Sequence, residues 1–302
     1  MGTVVRLEHY TKNFKKVTVL DDINLTLESG KVIGLKGKNG SGKTMLMRAI
    51  SGLILPTSGK VFINDKELGK QISFPPSIGL LIENPSFIAN YTGFKNLKIL
   101  ASIQNKISDE EIREAIRKVG LKPDDPRTFK KYSLGMKQRL GIAAAIMEKP
   151  DIVILDEPFS GLDPVNAMLL KDVVKETIQK GKIVLFSSHQ MNYIEEFCDN
   201  IAIINGGEVV LTGDLHEIKH NYPRNRLVVR SVQDSEIAAE YGEMCSRGES
   251  GELIITLKAP DEKKAVMKNI TDKYDVDEIK VYEPALNDIF VEYTSDNKQG
   301  GE

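Results

Sequence analysis

The stretch GKNGSGKT, residues 37–44, combines the residue types that bind a polyphosphate. Its three glycines let backbone N–H groups approach an anion closely, while Lys43 adds a cation and Thr44 a hydroxyl. In a phosphate-binding loop of this spacing, the lysine reaches the β and γ phosphates and the hydroxyl holds Mg²⁺. A glycine-rich turn that happens to precede a lysine is the alternative, and an apolar strand before the loop with a helix after it argues against that. We therefore expect a nucleoside triphosphate to be bound by Gly37, Asn39, Gly40, Ser41, Gly42, Lys43, Thr44 and Met45.

Two carboxylates follow a later apolar run. Ile152–Leu155 is continuously apolar, and Asp156 and Glu157 come directly after it. At such a position an aspartate holds Mg²⁺ through water, and a neighbouring glutamate polarises the attacking water as a general base. Taken alone, the pair could simply mark the exit of a strand into solvent. Beside a phosphate-binding loop, we expect Asp156 to be a metal ligand and Glu157 to be a catalytic base.

A histidine closes the next apolar run. Ile183–Phe186 is followed by Ser187, Ser188 and His189. From the end of a strand, an imidazole can hydrogen-bond the γ-phosphate or the attacking water. A lone histidine in this position is more often structural, but the loop and the carboxylates favour a functional role. We expect His189 to act with Glu157 and Lys43 in catalysis.

The elements that must position these side chains alternate between strands and helices. Lys31–Leu35, Ile152–Leu155 and Ile183–Phe186 are continuous apolar runs, which are typical of parallel strands buried on both faces. A helix is predicted from Lys43 to Ser51, and Gly52 ends it. The positive N-terminal end of that helix would face the bound anion.

Other parts of the chain have a different character. The first thirty residues alternate as strands, whereas residues 86–148 are helical. In this helical part, Ser108 and Glu111 form a capping box that opens a helix running to Gly120, and a second helix follows Ser133. Past residue 225, short strands and helices alternate again. The predicted strands there are Leu227–Ser231, Glu252–Leu257 and Glu278–Tyr282, and the predicted helices are Ser235–Tyr241, Asp261–Tyr274 and Ala285–Tyr293.

Length and composition set the organisation. A chain of 302 residues exceeds one average domain. We predict a nucleotide-binding domain at 1–219 with a helical subdomain at about 86–148, a linker at 220–225, an accessory α+β domain at 226–294 and a disordered tail at 295–302. The net charge of −2, without a concentrated basic face, argues against a nucleic-acid partner. Two cysteines, no signal-peptide core and no apolar run of membrane-spanning length predict a cytoplasmic chain.

Five motifs together resemble the ATP-binding cassette (ABC) ATPases of ABC transporters. They are the phosphate-binding loop, the stretch YSLGMKQ at 132–138, the Asp156-Glu157 pair, the stretch SGLD at 160–163 and Ser188-His189. The match covers residues 1 to about 219. The resemblance implies a P-loop NTPase (RecA-like) α/β core with an antiparallel β subdomain and a helical signature subdomain, and a small C-terminal α+β domain follows. It also implies ATP and Mg²⁺ as cofactors.

The resemblance assigns further residues. It implies a head-to-tail dimer in which the signature motif of each subunit covers the ATP of the other, here through Ser133, Gly135 and Gln138. These residues open a helix, so its N-terminal dipole would point at the partner's γ-phosphate. Ser160 and Asp163 match the D-loop that couples the two sites, and Phe14 stands where the family stacks an aromatic ring on adenine.

One departure from the family pattern is informative. The family has glutamine as an Mg²⁺ ligand after the strand at 78–82, where this sequence has Glu83. A carboxylate still offers oxygen to Mg²⁺ but adds a negative charge and donates no hydrogen bond. Glu83, with Ile82 before it and Asn84-Pro85 after it, resembles the branch of bacitracin exporters and lantibiotic-immunity transporters, and so does the stretch Tyr132–Leu140. Neutral drift to a similar side chain is the alternative.

These expectations combine into one function. The sequence predicts the ATP-hydrolysing subunit of an exporter, peripheral on the inner face of the cell membrane, which works as a homodimer or heterodimer with a separate multi-span permease. Its predicted task is efflux of, or immunity to, a peptide antibiotic or similar compound. The alternatives are a non-transport ATPase of the same class that remodels DNA or ribosomes, a regulatory nucleotide-binding module, and an exporter subunit for an unrelated substrate.

Overall fold

The computed structural model describes residues 2–222, 225–248, 251–282 and 284–295, apart from the side chain of Pro260. The predicted tail beyond Ser295 lies outside these residues, as do two positions of the predicted linker. The chain divides into two compact units. The first runs to Leu215 and takes in the end of the chain from Tyr293, and the second comprises His216–Glu292. The predicted linker at 220–225 lies a few residues beyond this division, and its boundaries stay a prediction.

The first unit contains ten strands and most of the helices among the residues described. The strands are β1 (Val4–Phe14), β2 (Val17–Glu28), β3 (Lys31–Lys36), β4 (Ser58–Ile63), β5 (Lys66–Glu67), β6 (Ile78–Leu81), β7 (Ile152–Leu155), β8 (Ile183–Ser187), β9 (Asn200–Asn205) and β10 (Glu208–Asp214). The helices are α1 (Lys43–Ile50), α2 (Gly93–Gln104), α3 (Asp109–Lys118), α4 (Leu134–Ile146), α5 (Pro164–Gln179) and α6 (Met191–Phe197), and α7 (Leu215–Asn221) follows, of which only Leu215 belongs to the first unit.

A six-stranded sheet in the order β10-β9-β3-β8-β7-β6 forms the centre of the first unit. Its strands from β9 to β6 run parallel, and only β10 is antiparallel to its neighbour. All residues of β7 and β8 are buried, which confirms the prediction from their continuous apolar sequences. Because the strands are parallel, their carboxyl ends meet at one edge, where ligands bind in open α/β sheets.

An antiparallel sheet in the order β2-β1-β4-β5 packs against this centre. One buried cluster joins the two sheets and α1, and it includes Leu7, Leu25, Leu35, Leu46 and Ile154. Full burial of such a side chain contributes roughly 1.5–3 kcal/mol to stability. The cluster therefore anchors both flanks of the loop between β3 and α1.

The helical segment between β6 and β7 matches the prediction from its caps. The Oγ of Ser108 accepts a hydrogen bond from the N–H of Glu111 at 3.3 Å, and a Glu111 carboxylate oxygen accepts from the N–H of Ser108 at 3.0 Å. This reciprocal pair opens α3, whose last helical residue is Lys118. Gly120, at a φ of 70°, follows in the left-handed region that glycine tolerates.

The second unit is built on a four-stranded antiparallel sheet in the order β12-β13-β11-β14. Its strands are β11 (Arg226–Arg230), β12 (Cys245–Arg247), β13 (Leu253–Thr256) and β14 (Glu278–Val281), and its helices are α8 (Asp234–Tyr241), α9 (Lys263–Lys273) and α10 (Leu286–Ser295), of which the last three residues belong to the first unit. Leu227, Val229, Ile237, Ile255 and Ile270 form its core. The sequence predicted three of these strands and missed β12, which is three residues long.

Candidate active site

The loop between β3 and α1 has a backbone that only glycine fits at several positions. A Cβ on Gly37 would lie 2.4 Å from the carbonyl oxygen of Ile204 in β9, closer than van der Waals contact allows. Gly40 and Gly42 have φ values of 79° and 109°, which side-chain-bearing residues rarely adopt. Gly42 is also the N-cap of α1. The loop is thus folded against the edge of the sheet, with its backbone leading directly into the first turn of α1.

The remaining loop residues surround this backbone. Asn39 is exposed, Ser41 is buried, and Met45 is half-buried in the first turn of α1. The Ser41 N–H donates to the carbonyl of Lys38 at 3.1 Å, which closes the turn. These positions agree with a loop whose concave side presents amides rather than side chains.

Lys43 lies inside the loop. Its Nζ donates hydrogen bonds to the carbonyl oxygens of Gly37 at 2.7 Å and Lys38 at 3.1 Å. Burial lowers the pKa of this lysine, while the charges of Glu157 and Asp156 act in the opposite direction. The ammonium is therefore held over the loop by neutral carbonyls, which phosphate oxygens can replace with a stronger, charge-assisted contact.

Asp156 is fixed by two hydroxyls. Its Oδ2 accepts from the Thr44 hydroxyl at 2.8 Å, and its Oδ1 accepts from the buried Ser187 hydroxyl at 2.6 Å. The oxygens of Thr44 and Asp156 thus converge at the start of α1. Hydroxyl and carboxylate oxygens are the hard ligands that Mg²⁺ prefers, so the residues present fit that ion. Among the residues described, no group of three or more His, Cys, Asp or Glu side chains forms a metal cluster, and a magnesium ion here would take its other ligands from phosphate and water.

Glu157 has an unusual backbone conformation. Its φ is 48°, in the left-handed region that is strained for a residue with a side chain. Its N–H donates to the Ser187 hydroxyl at 2.9 Å, and its carbonyl accepts from the Gln138 side-chain amide at 3.0 Å. Both backbone groups are therefore held by side chains, and these hold the carboxylate away from the direction that regular strand geometry would give. Sequence reasoning did not identify Ser187 as the residue that positions both acids.

His189 lies beside Glu157, because β7 and β8 are neighbours in the sheet. Its Nε2 is 3.2 Å from a Glu157 carboxylate oxygen, and its N–H donates to the other oxygen at 3.2 Å. The imidazole is half exposed, whereas the Glu157 side chain is about a quarter exposed. The two side chains therefore form one pair, and their roles as base and orienting group stay a prediction.

Phe14 lies at the end of β1 with its ring exposed. The ammonium of Lys12 sits 5.0 Å from the ring centroid and also donates to the Leu55 carbonyl at 2.7 Å. One face of the ring is thus occupied by an anchored cation. The ring is partly exposed, and its predicted contact with adenine stays a prediction.

The Glu83 carboxylate is engaged with a basic side chain. It accepts from Arg48 of α1 at 2.6 Å, and Glu83 itself has a φ of 63°. Thr44 and Asp156 instead bond each other. The structure therefore brings two of the three predicted metal ligands together and places the third in an ion pair.

The signature residues lie at the start of α4. Ser133 is the exposed N-cap, and its Oγ accepts from the Met136 N–H at 3.2 Å. Gly135 packs on the D-loop, where an added Cβ would come 2.7 Å from the Gly161 carbonyl oxygen. Gln138 differs from expectation, because its side chain is buried and bonded to Glu157 of its own chain. Its assignment to the ATP of a second subunit stays a prediction that a single chain does not test.

The D-loop connects the carboxylates to α5. Ser160 is exposed, and Asp163 caps α5 by accepting from the Asn166 N–H at 2.9 Å, a bond that lowers the pKa of Asp163. Behind the loop, Phe159 stacks on Tyr193 with ring centroids 4.2 Å apart. The aromatic packing fixes the base of the loop and leaves its exposed tip free to meet another surface.

Comparisons with known proteins found similar families and structures. The family model described as ABC transporter matches residues 20–160, and one described as the C-terminal domain of DrrA1-3-like ATP-binding proteins matches residues 213–294. Among solved structures, one described as an ATP-binding subunit of an ABC transporter superposes with a TM-score of 0.66 at 28% identity, covering 72% of this chain and 93% of that one.

The match to each of three curated relatives covers most of that relative's length. An uncharacterized ABC transporter ATP-binding protein of Bacillus subtilis (strain 168) is 45% identical over 68% of this chain and 94% of its own. The bacitracin transport ATP-binding protein BcrA of Enterococcus faecalis is 38% identical over 80% of this chain and 78% of its own. The lantibiotic transport ATP-binding protein SrtF of Streptococcus pyogenes is 34% identical over 69% of this chain and 90% of its own.

Proposed function

The chain belongs to the ATP-binding proteins of ABC transporters, and from this premise we propose that it is the motor subunit of an exporter for a peptide antibiotic or a similar compound. As a member of this family it is an ATPase. We propose further that it closes as a dimer around two Mg-ATP molecules and drives a separate permease from the inner face of the membrane. Within the described residues, none of the helices is both long and apolar enough to span a bilayer.

One observation carries the proposal: the groups needed for phosphoryl transfer to water meet at one edge of the parallel sheet. The loop ammonium of Lys43, the Thr44-Asp156 pair and the Glu157-His189 pair come from the ends of β3, β7 and β8 and the start of α1. Parallel neighbours bring these strand ends together. No other reaction class uses this set as directly as nucleoside triphosphate hydrolysis.

The proposed reaction divides the work among these side chains. Lys43 and the loop amides bind the β and γ phosphates and stabilise the charge that develops on the transferring phosphoryl. Glu157 accepts the proton of the attacking water, and His189 orients the water and the γ-phosphate. Thr44 and Asp156 would hold Mg²⁺, which would neutralise part of the phosphate charge. The exposed face of Phe14 stacks on adenine.

We infer the dimer from the exposed N-terminus of α4. The tip of α4 begins at Ser133, an exposed N-cap, and a helix N-terminus carries a positive dipole end. Such a tip attracts a phosphate, and the family's head-to-tail arrangement would supply the triphosphate of a second subunit. We propose that Ser133 and Gly135 act there, while Ser160 and Asp163 line the junction.

The substrate class rests on the relatives and on Glu83. Relatives described as bacitracin and lantibiotic transport proteins match at 38% and 34% identity. The carboxylate at position 83 is the sequence feature from which we infer membership of that branch. A transporter for such compounds protects a cell by moving them away from the membrane, which fits an efflux or immunity role.

The Glu157→Gln variant tests the catalytic assignment. The amide keeps the shape and the hydrogen-bonding position but accepts no proton, so ATP binding should persist while hydrolysis falls by about 10²–10⁴-fold, the usual share of general-base catalysis. With ATP present, size-exclusion chromatography should show the variant as a stable dimer. Glu208→Gln, at the exposed first residue of β10, is the matched control and should behave as the parent. Parental turnover in Glu157→Gln would contradict the assignment of the base.

A further inference from the structure

A second lysine stands next to the phosphate-binding loop and has no part in the reaction described above. Lys36 is the last residue of β3 and directly precedes Gly37. It is only 6% exposed, as buried as the catalytic lysine. Lysine is almost never buried without acceptors for its ammonium group, so the partners of this group indicate its role.

Two of those partners belong to the segment that contains the histidine. The Nζ of Lys36 donates to the carbonyl oxygen of His189 at 2.5 Å and lies 3.4 Å from that of Ser188. The sheet register explains why the Lys36 side chain can contact this segment. Leu35 is paired with Ser187, so Lys36 lies opposite the point where β8 ends. A side chain at the end of one strand thus holds the backbone that continues from its neighbour.

The His189 backbone is in turn tied to the proposed base. Its N–H donates to a Glu157 carboxylate oxygen at 3.2 Å, and the imidazole lies at the same distance from the other oxygen. Burial lowers the pKa of Lys36, and the charge of Glu157 acts against that lowering, so the ammonium lies within the field of the same carboxylate. A continuous set of contacts therefore runs from Lys36 through His189 to Glu157.

We propose that Lys36 is a positioning residue that holds His189 at the distance and orientation required for ATP hydrolysis. This inference rests on the catalytic role proposed above for His189. The ammonium bonds the backbone on either side of the imidazole's attachment point, where a neutral side chain of the same length could offer no donors. A shift of about 1 Å in a catalytic group can reduce a rate by about a hundredfold. Loss of this contact should therefore reduce the rate of ATP hydrolysis.

The competing role is direct attraction of phosphate. Lys36 and Lys43 are close enough for the charge of one to affect the pKa of the other, and a second cation near the loop would strengthen triphosphate binding. The two roles differ in what they change. A positioning residue affects kcat, whereas a phosphate-attracting cation affects the affinity for ATP.

The Lys36→Met variant separates these roles, because methionine has a similar length and no donor. We expect kcat to fall about tenfold to a hundredfold while KM and the equilibrium affinity for ATP stay within about threefold. The control is Lys31→Met at the opposite end of β3, which should leave both constants unchanged. If Lys36→Met does not fold, Lys36→Arg, which keeps the charge and the donors, should fold. We expect its kcat to fall by less than about tenfold, with the affinity for ATP unchanged.

A double-mutant cycle with His189→Ala identifies the route of the effect. If Lys36 acts by placing the imidazole, most of the loss caused by Lys36→Met should disappear in the His189→Ala background. Fully additive losses would overturn the proposal, and so would a loss of ATP affinity at parental kcat. If His189→Ala alone left hydrolysis unchanged, the catalytic role proposed for His189 would be wrong. That result differs from additive losses, which would contradict only the role proposed for Lys36.

Nuclear magnetic resonance gives a readout that does not depend on turnover. The chain has four histidines, so the imidazole signals of His189 can be assigned by their loss in His189→Ala. They should shift in Lys36→Met and stay in place in Lys31→Met. Unchanged His189 signals in Lys36→Met would contradict the positioning role.

Discussion

Adjacent carboxylates receive different tasks because of their backbone geometry. Asp156 is buried and accepts hydroxyls on both oxygens, whereas Glu157 turns through a φ of 48° and carries its carboxylate to His189. Ser187 serves both residues, since its hydroxyl donates to Asp156 and accepts from the Glu157 N–H. One buried hydroxyl on the neighbouring strand therefore separates a metal-binding acid from a proton-accepting acid.

At position 83 we expect a change in coupling rather than in chemistry. Glu83→Gln removes the negative partner of Arg48, and this pair is exposed enough that its loss should change the free energy of unfolding by only about 0–1 kcal/mol. Basal ATP hydrolysis should therefore persist, within about threefold. The degree to which the copurified permease stimulates hydrolysis in reconstituted vesicles should change, because Gln both donates and accepts hydrogen bonds.

Arg48→Gln is the matched control for this prediction. It breaks the same ion pair from the side of α1 and leaves the carboxylate in place. If both variants alter permease stimulation alike, the pair itself is the coupling element. Unchanged stimulation in Glu83→Gln would remove the functional argument for the exporter branch.

At the scale of the elements, local sequence rules predicted the structure wherever one side chain determines one backbone feature. The capping box at Ser108 and Glu111, the buried parallel strands β7 and β8, and the glycines of the loop follow from propensity and sterics within a few residues. The core α/β fold was therefore predictable. The three-residue strand β12 was not, because so short a strand depends on its neighbour rather than on its own sequence.

Contacts between different elements could not be predicted from the sequence. Gln138 faces the interior because of how α4 packs on the carboxylate loop, and a helix tip motif does not reveal which side chains turn inward. The pairs of Lys36 with His189 and of Arg48 with Glu83 join residues far apart in the chain. Such contacts follow from strand register and helix rotation, which one sequence does not fix.

A cross-element contact also gives a pH-dependent prediction. Glu176 of α5 accepts from Lys118 of α3 at 2.7 Å and from Lys180 at 2.5 Å, and these hydrogen bonds lower its pKa to about 2. Its folded pKa lies below its ordinary value of 4.5, so the stabilisation is present above about pH 4.5 and is lost as the pH falls towards 2. Because the side chain is 42% exposed, we expect no more than about 1 kcal/mol.

Glu176→Gln should therefore lower the free energy of unfolding by about 0.5–1 kcal/mol at pH 7, and the difference from the parent should shrink below pH 4. Urea titrations at the two pH values measure it. Glu114→Gln is the control, since its carboxylate lies 3.5 Å from the same lysine and should matter less. A difference that stays constant across this pH range would refute the ion-pair explanation.

At the scale of the whole molecule, we propose that one chain contributes two different halves of a phosphate site, each of which another chain completes. The loop at the start of α1 binds a triphosphate from one side, and the tip of α4 with Ser133 as N-cap is exposed to solvent. Two helix N-termini that both favour anions complement each other when two chains meet head to tail. The proposed dimer gives each triphosphate one terminus from each subunit.

This arrangement predicts that two inactive variants restore activity when mixed. Lys43→Ala loses the loop cation but keeps the signature tip. Ser133→Asp keeps a good N-cap residue, so α4 should form, yet it sets a negative charge against the triphosphate of the other chain. A mixed dimer holds one site made of two intact halves, so equimolar mixing should recover up to about a quarter of parental ATPase activity by random pairing, if each intact site works alone. Ser133→Asn, a neutral N-cap of the same shape, should remain more active than Ser133→Asp. Failure of the mixture to gain activity over either variant alone would contradict the shared site, and so would full activity in chains kept strictly monomeric.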